Sequence, residues 1–321
     1  QAKDGLALIN GTQLMAAYGA FVLKRALVLQ TDADILAAMS LEALQGSATP
    51  FDERVHKIRP HQGQLSVARN IRQLLVGSEI MDSHRNCGKV QDSYSLRCVP
   101  QVHGASRDAL SYCTFTIEVE LNSVTDNPLV FDNGEIISAG NFHGQPLALA
   151  LDFAAIALAE LASISERRTY LLLEGHDGLP RLLMKDTGIN SGFMIPQYTA
   201  AALVSENKIL CHPASVDSIP TSLGQEDHVS MGSISALKLL PVLRNVEHVL
   251  AVEFLTAAQA LDFRAPLKPG IGVQLAHALL RGKIGHAHKD YEVRNDLEIC
   301  TGILRRGELA STVEASIGPL H

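Results

Sequence analysis

Gln91, Tyr94 and Arg97 stand three residues apart in the segment Gln91-Asp92-Ser93-Tyr94-Ser95-Leu96-Arg97. An amide can donate and accept, a phenol can move a proton, and a guanidinium can clamp a carboxylate with two parallel hydrogen bonds. On an α-helix a spacing of three advances about 300° per step, so these side chains would fan over an arc of roughly 120°. Such a face could present a polarising amide, a proton-transfer group and a carboxylate clamp to a small zwitterion. The same spacing also describes the solvated face of an ordinary amphipathic helix, so spacing alone does not choose between them.

The elements that must position these groups read as helices. Ala and Leu dominate an apolar content of 46%, which favours helix over strand. Apolar periodicity runs from Leu6 to about Leu29, with Gly11 interrupting it, and Asp32 reads as the cap of a second helix. Further helices are predicted over Gln64–Gly77 and from a cap at Ser106 to Leu121. Long helices follow from Pro146 to Gly175 and from about His228 to Leu261, the latter with Pro241 inside it. Three shorter ones fall near Gly272–Arg281, Asp290–Thr301 and Glu308–Ser316. Thr114 to Leu121 alternates at period two and could be mistaken for strand; helix is preferred. Leu129-Val130-Phe131 and Ile136-Ile137-Ser138, joined by Asp132-Asn133-Gly134, read as a small β-hairpin. The fold class is therefore all-α, an extended bundle of long central helices with one hairpin excursion.

A net charge of −7, with no basic run, argues against phosphate-backbone binding as a main task. Five scattered cysteines, an odd number, suit reduced thiols in a cytoplasm. Leu147 to Leu161 is the most apolar stretch, but Asp152 and Glu160 within it suit a core helix rather than a membrane span. His286-Ala287-His288 looks like a metal pair without a persuasive third ligand, so no metal is expected. The chain opens on Gln1-Ala2-Lys3-Asp4 and runs straight into a helical pattern, which reads as a cut through something longer.

Gln91-Asp92-Ser93-Tyr94-Ser95-Leu96-Arg97-Cys98-Val99-Pro100-Gln101 resembles the signature of the histidine ammonia-lyases within the aromatic amino acid lyase family. Four further segments resemble the same family in the same order. They are Leu8-Ile9-Asn10-Gly11-Thr12-Gln13, Gly140-Asn141-Phe142-His143-Gly144-Gln145-Pro146, Ser163-Ile164-Ser165-Glu166-Arg167-Arg168 and Gln225-Glu226-Asp227-His228-Val229-Ser230-Met231. The resemblance implies a homotetramer that eliminates ammonia from L-histidine to give urocanate. It also implies a methylidene-imidazolone made from an Ala-Ser-Gly tripeptide. This sequence has no Ala-Ser-Gly; Ser138-Ala139-Gly140 has the wrong order. Residues 1–321 are thus expected to be the C-terminal helical portion of such an enzyme, with the electrophile-bearing part N-terminal to it.

The resemblance assigns roles residue by residue. Asn10 would hold the substrate or the electrophile, with Gly11 allowing close approach. Gln91 would hydrogen-bond at the reacting centre, Tyr94 would handle a proton and Arg97 would clamp the carboxylate. Phe142 would wall the electrophile, and Glu226 would pair with the imidazole, which favours histidine over tyrosine or phenylalanine. The alternatives are a related tyrosine or phenylalanine lyase or aminomutase, and a non-catalytic helical assembly module. Because the tripeptide is missing, the 321-residue chain alone should yield no urocanate absorbance from L-histidine; measurable turnover would overturn this placement of the electrophile.

Overall fold

The computed structural model describes residues 3–85 and 88–321, so Cys87 lies outside the described residues. In chain order the helices are α1 (Asp4–Asn10), α2 (Gln13–Ala43), α3 (Glu53–Lys57), α4 (Gln62–Leu74), α5 (Glu79–Ser83), α6 (Tyr94–Arg97) and α7 (Val99–Leu121). Strands β1 (Leu129–Val130) and β2 (Ile136–Ile137) follow. The remaining helices are α8 (Gln145–Leu173), α9 (Met194–Leu210), α10 (Gly232–Asp262), α11 (Ile271–Arg281), α12 (Arg294–Arg305) and α13 (Glu308–Ile317). The two strands pair antiparallel, Leu129 opposite Ile137 and Val130 opposite Ile136, and Gly134 supplies the left-handed turn at φ 81°. The all-α class holds, with the hairpin as the only sheet among the described residues.

The long helices α2, α7, α8 and α10 form the bundle, and α8 and α10 pack most extensively on each other. Small residues permit this: Ala154, Ala155 and Ala162 on α8, and Ala251, Ala257 and Ala258 on α10, are all buried. α8 is apolar and long enough to cross a membrane, but 67% of its most apolar stretch is buried inside the protein, as a central spine requires. Pro146 lies in its first turn, and Gly175 stops it at φ 82°. Where α4 crosses α7, a Cβ on Gly63 would lie 2.1 Å from the carbonyl oxygen of Gly104, so the two backbones touch directly.

A continuous polar chain threads this apolar core. Asp34 on α2 accepts from Asn70 on α4 at 2.8 Å, and from Arg107 at 2.9 Å and His103 Nδ1 at 2.7 Å on α7. His103 Nε2 faces Arg168 Nη1 of α8 at 3.3 Å, and Arg168 forks onto Glu253 of α10 at 2.5 and 2.8 Å. Ser40 of α2 donates to the same Glu253 at 2.6 Å, which closes the circuit. Burial pushes the Asp34 carboxyl up, but His103, Arg107 and Asn70 together hold it below its ordinary range. An ionised Asp34 only accepts and Arg168 only donates, so His103 is the neutral tautomer with its proton on Nδ1. Burial likewise depresses the His103 pKa.

Several helix boundaries differ from those predicted. Asp32 is not a cap: α2 runs through it unbroken, and its buried carboxyl accepts from the Ala310 N–H at 3.0 Å. The helix expected to start at Ser106 begins at Val99, with Pro100 in its first turn and Ser106 buried within it. α10 begins at Gly232 rather than His228, and α9 has no counterpart among the predicted helices. At Asp32 and Ser106 a buried polar residue, and at His228 a polar loop beside a helix, imitates a boundary signal.

Two stability predictions follow from buried carboxyls. Glu253→Ala strands the Arg168 guanidinium, which is 0% exposed, and should cost roughly 3–5 kcal/mol in denaturant unfolding. Glu42 accepts from Ser78 and from the Gly270 N–H, yet burial raises its pKa to about 7. A raised folded pKa gives stability that is full below the unfolded carboxylate range and is lost as pH rises through 7. Glu42→Gln should therefore flatten the decline in melting temperature between about pH 4.5 and 7 relative to wild type.

Candidate active site

Gln91, Tyr94 and Arg97 do not share one helical face. Gln91 lies in irregular chain before α6, a single turn that holds Tyr94 and Arg97 but not Gln91. The Arg97 guanidinium carbon sits 4.5 Å from the centre of the Tyr94 ring. Asp92 fixes the approach to this turn by accepting from the Ser47 N–H at 2.6 Å, which ties it to the loop after α2. Gln91 and Arg97 then line a cavity of about 1050 Å³ with Arg72, His84, Lys89 and Gln101. Among the described residues, the Arg97 Nε and the Gln101 Oε1 are buried without a hydrogen-bond partner. A buried guanidinium N–H without an acceptor, in a cavity rich in cations, suits an anionic group such as a carboxylate. Sequence reasoning did not single out Gln101, although it closes the signature segment.

Asn10, Phe142 and Glu226 belong to a second neighbourhood. Asn10 ends α1 and donates from Nδ2 to Asp126 Oδ1 at 2.9 Å. Gly11 turns the chain into α2, and a Cβ there would lie 2.3 Å from the Thr125 carbonyl oxygen. Asn141 reaches the Val124 carbonyl at 3.5 Å, and half-buried Phe142 follows it. His143 Nε2 is 3.2 Å from the His228 carbonyl, and the two imidazoles stack with centroids 5.5 Å apart. The loop carrying Glu226 thereby meets the loop carrying Phe142. Glu226 itself is exposed and accepts from Thr221 at 2.7 Å and Ser222 at 2.5 Å. These hydroxyls hold its carboxyl below the ordinary range, so it is an anion at neutral pH.

The two neighbourhoods sit at opposite ends of the same rods. α7 starts immediately after Arg97 and ends shortly before Asp126; its 23 residues span about 35 Å at 1.5 Å each. α2 starts immediately after Asn10 and ends at the loop that holds Asp92; its 31 residues span about 45 Å. One chain cannot bring Arg97 onto the same small ligand as Asn10 and Glu226.

Ser138-Ala139-Gly140 follows β2 in exposed chain, where the Ala139 N–H donates to Asn127 Oδ1 at 2.7 Å. Its order cannot give the cyclised tripeptide, so the residues present suit ligand binding rather than the electrophile itself. His286 Nδ1 lies 2.6 Å from Asp262, which also pairs with His277 and Arg281, and His286 Nε2 lies 3.3 Å from the Gln259 amide nitrogen.

A family model for aromatic amino acid lyases matches residues 1–282. The histidine ammonia-lyase of Sorangium cellulosum is 56% identical over all of this chain, which covers 64% of that relative. That of Myxococcus xanthus is 53% identical over 98% of this chain and is covered to 63%. The chain thus spans a little under two thirds of the length of the curated relatives it matches. Among solved structures, a histidine ammonia-lyase from Trypanosoma cruzi superposes with TM-score 0.90 at 45% identity, over 98% of this chain and 59% of that one. A tyrosine aminomutase from Streptomyces globisporus superposes with TM-score 0.91 at 40% identity, over 98% of this chain and 64% of that one. The chain belongs to the aromatic amino acid lyase family.

Proposed function

We propose that this chain forms the C-terminal helical portion of a lyase that eliminates ammonia from L-histidine to give urocanate. The observation that carries this reading is the pairing of a cationic cavity, with an unpartnered Arg97 Nε, with a second half-site that presents an ionised Glu226. Arg97 binds the substrate carboxylate, and Glu226 pairs with the imidazole. Gln91 and Asn10 hydrogen-bond around the α-carbon, and the Tyr94 phenol oxygen handles the β-proton. Phe142 keeps water from the reacting side. When present, a methylidene-imidazolone formed from an Ala-Ser-Gly outside these residues supplies the electrophile. The cytoplasmic assignment rests on thiol chemistry: Cys98, Cys113, Cys211 and Cys300 are free.

The two half-sites require more than one copy, and we propose a homo-oligomer, a tetramer by family resemblance. Tyr112, Phe115 and Val119 on α7 and Leu149, Phe153 and Ile156 on α8 are all exposed at 41–65%. Such an apolar stripe along two neighbouring helices suits a helix–helix interface. A two-fold axis across it runs α7 antiparallel to its counterpart, so the Arg97 end of one copy lies beside the Asp126 end of the next. Val90 and Tyr94 at one half-site and Leu223 at the other are likewise exposed, as surfaces awaiting cover would be.

A tyrosine aminomutase shares the fold with a TM-score as high as the histidine enzyme's, so backbone shape does not select the substrate. Glu226 does, because an anion suits an imidazole better than a phenyl or phenol ring. A non-catalytic assembly module would have no use for an Arg97 Nε without an acceptor among the described residues. In the full-length protein, Arg97→Met and Glu226→Gln should each lower histidine turnover at least 100-fold. Chains of the two variants unfolded and reassembled together should recover roughly a quarter of wild-type activity, the share of sites that draw both intact residues from different copies. No recovery in a mixture that assembles normally would count against the shared site.

A further inference from the structure

Asn10 is held by a partner that no role above includes. Asp126 lies between α7 and the hairpin, and its side chain is only 7% exposed. One oxygen accepts from Asn10 Nδ2 at 2.9 Å, and the other pairs with the Lys3 ammonium. Hydrogen bonds from Lys3, then Asn10, then the Asn127 N–H hold the carboxyl down to about 2, so it is ionised throughout the working range. An ionised carboxylate can only accept, which settles the orientation of the Asn10 amide on chemical grounds. Its NH₂ must face Asp126 and its carbonyl oxygen must point away. Two neighbouring contacts fix the backbone around this pair. Gly11 presses against the Thr125 carbonyl, and buried Thr12 donates to Glu120 at 2.5 Å. Residues 10–12 therefore lie along residues 120–126 with little freedom to shift.

We propose that Asp126 is a positioning residue for ammonia elimination, holding Asn10 so that its amide oxygen accepts from the substrate's α-ammonium group. This rests on the histidine-lyase reading. A charged acceptor on the amide N–H draws the N–H proton toward it and leaves the carbonyl oxygen richer in electron density. Asp126 also blocks the flipped amide, which would turn two N–H groups toward a cationic ammonium. Asp126 touches no substrate atom in this account; it acts through Asn10 alone.

The test is a double-mutant cycle in the full-length protein, with histidine turnover and thermal melting measured on every variant. Asp126→Asn should lower kcat about 10- to 100-fold with KM changed less than about threefold, because the amide loses a fixed orientation. Asn10→Ala should lose at least as much, and the double variant no more than Asn10→Ala alone. Asp126→Glu keeps the charge but displaces it by one methylene, so it should also lose activity while melting near wild type. Additive losses in the double variant, or kcat within twofold of wild type for both Asp126 variants, would overturn the role. Wild-type turnover separates the two claims: with it present, additivity refutes Asp126 alone. Its absence refutes the histidine-lyase reading, and this role falls with it.

Discussion

Register among α2, α7, α8 and α10 is the constraint on which the rest of the structure depends, and the buried chain from Asp34 to Glu253 sets it. Apolar contacts alone would let Ala-rich helices slide, because one small side chain replaces another at similar energy. A forked Arg168–Glu253 pair bonded to His103 and Ser40, and through His103 to Asp34, has one satisfying arrangement. A slip by one helical turn would leave charges unpaired in a low-dielectric interior, a cost of several kcal/mol per ion. Replacing the network with apolar residues could preserve stability, so its value here lies in specifying position. Arg168, the last residue of the Ser163–Arg168 segment, is the member of that segment that joins this network.

Fixed register in turn fixes where the functional groups emerge. Each half-site sits at a rod end, where chain leaves helix geometry: the one-turn α6 before α7, the Gly11 break before α2, and the loops before α8 and α10. Backbone groups freed at these ends and short polar side chains hold the site residues in place. Examples are Ser47 on Asp92, Asp126 on Asn10 and the two hydroxyls on Glu226. Rigid helices thus do two things at once. They give each half-site precision, and they forbid the halves of one chain from meeting.

Much of this was legible in the sequence, and for physical reasons. The long apolar periods of α8 and α10 showed because both helices are buried over most of their length, and Pro146 and Gly175 are unambiguous punctuation. The hairpin showed through Asp132-Asn133-Gly134. Boundaries inside α2 and α7 did not show, because Asp32 and Ser106 are polar residues buried within helices, and Asp32 accepts from the distant Ala310 N–H. Local sequence cannot reveal a partner 278 residues away. Gln91, Tyr94 and Arg97 were found by type and spacing, but the helical face assumed for them was not there, since Ser93 and Cys98 bound a single turn. Asn10 and Glu226 were visible only through family likeness. Their separation from Arg97 was invisible, because it is a consequence of the lengths and antiparallel run of α2 and α7 rather than of any local motif.

The division of the site between copies is tested most directly by a structure of the full-length protein bound to L-histidine or a carboxylate inhibitor. The account predicts Arg97 of one copy on the ligand carboxylate, with Asn10 and Glu226 of a different copy on the same molecule. A ligand held by Arg97, Asn10 and Glu226 of a single chain would contradict it, as would a ligand that leaves Arg97 unoccupied.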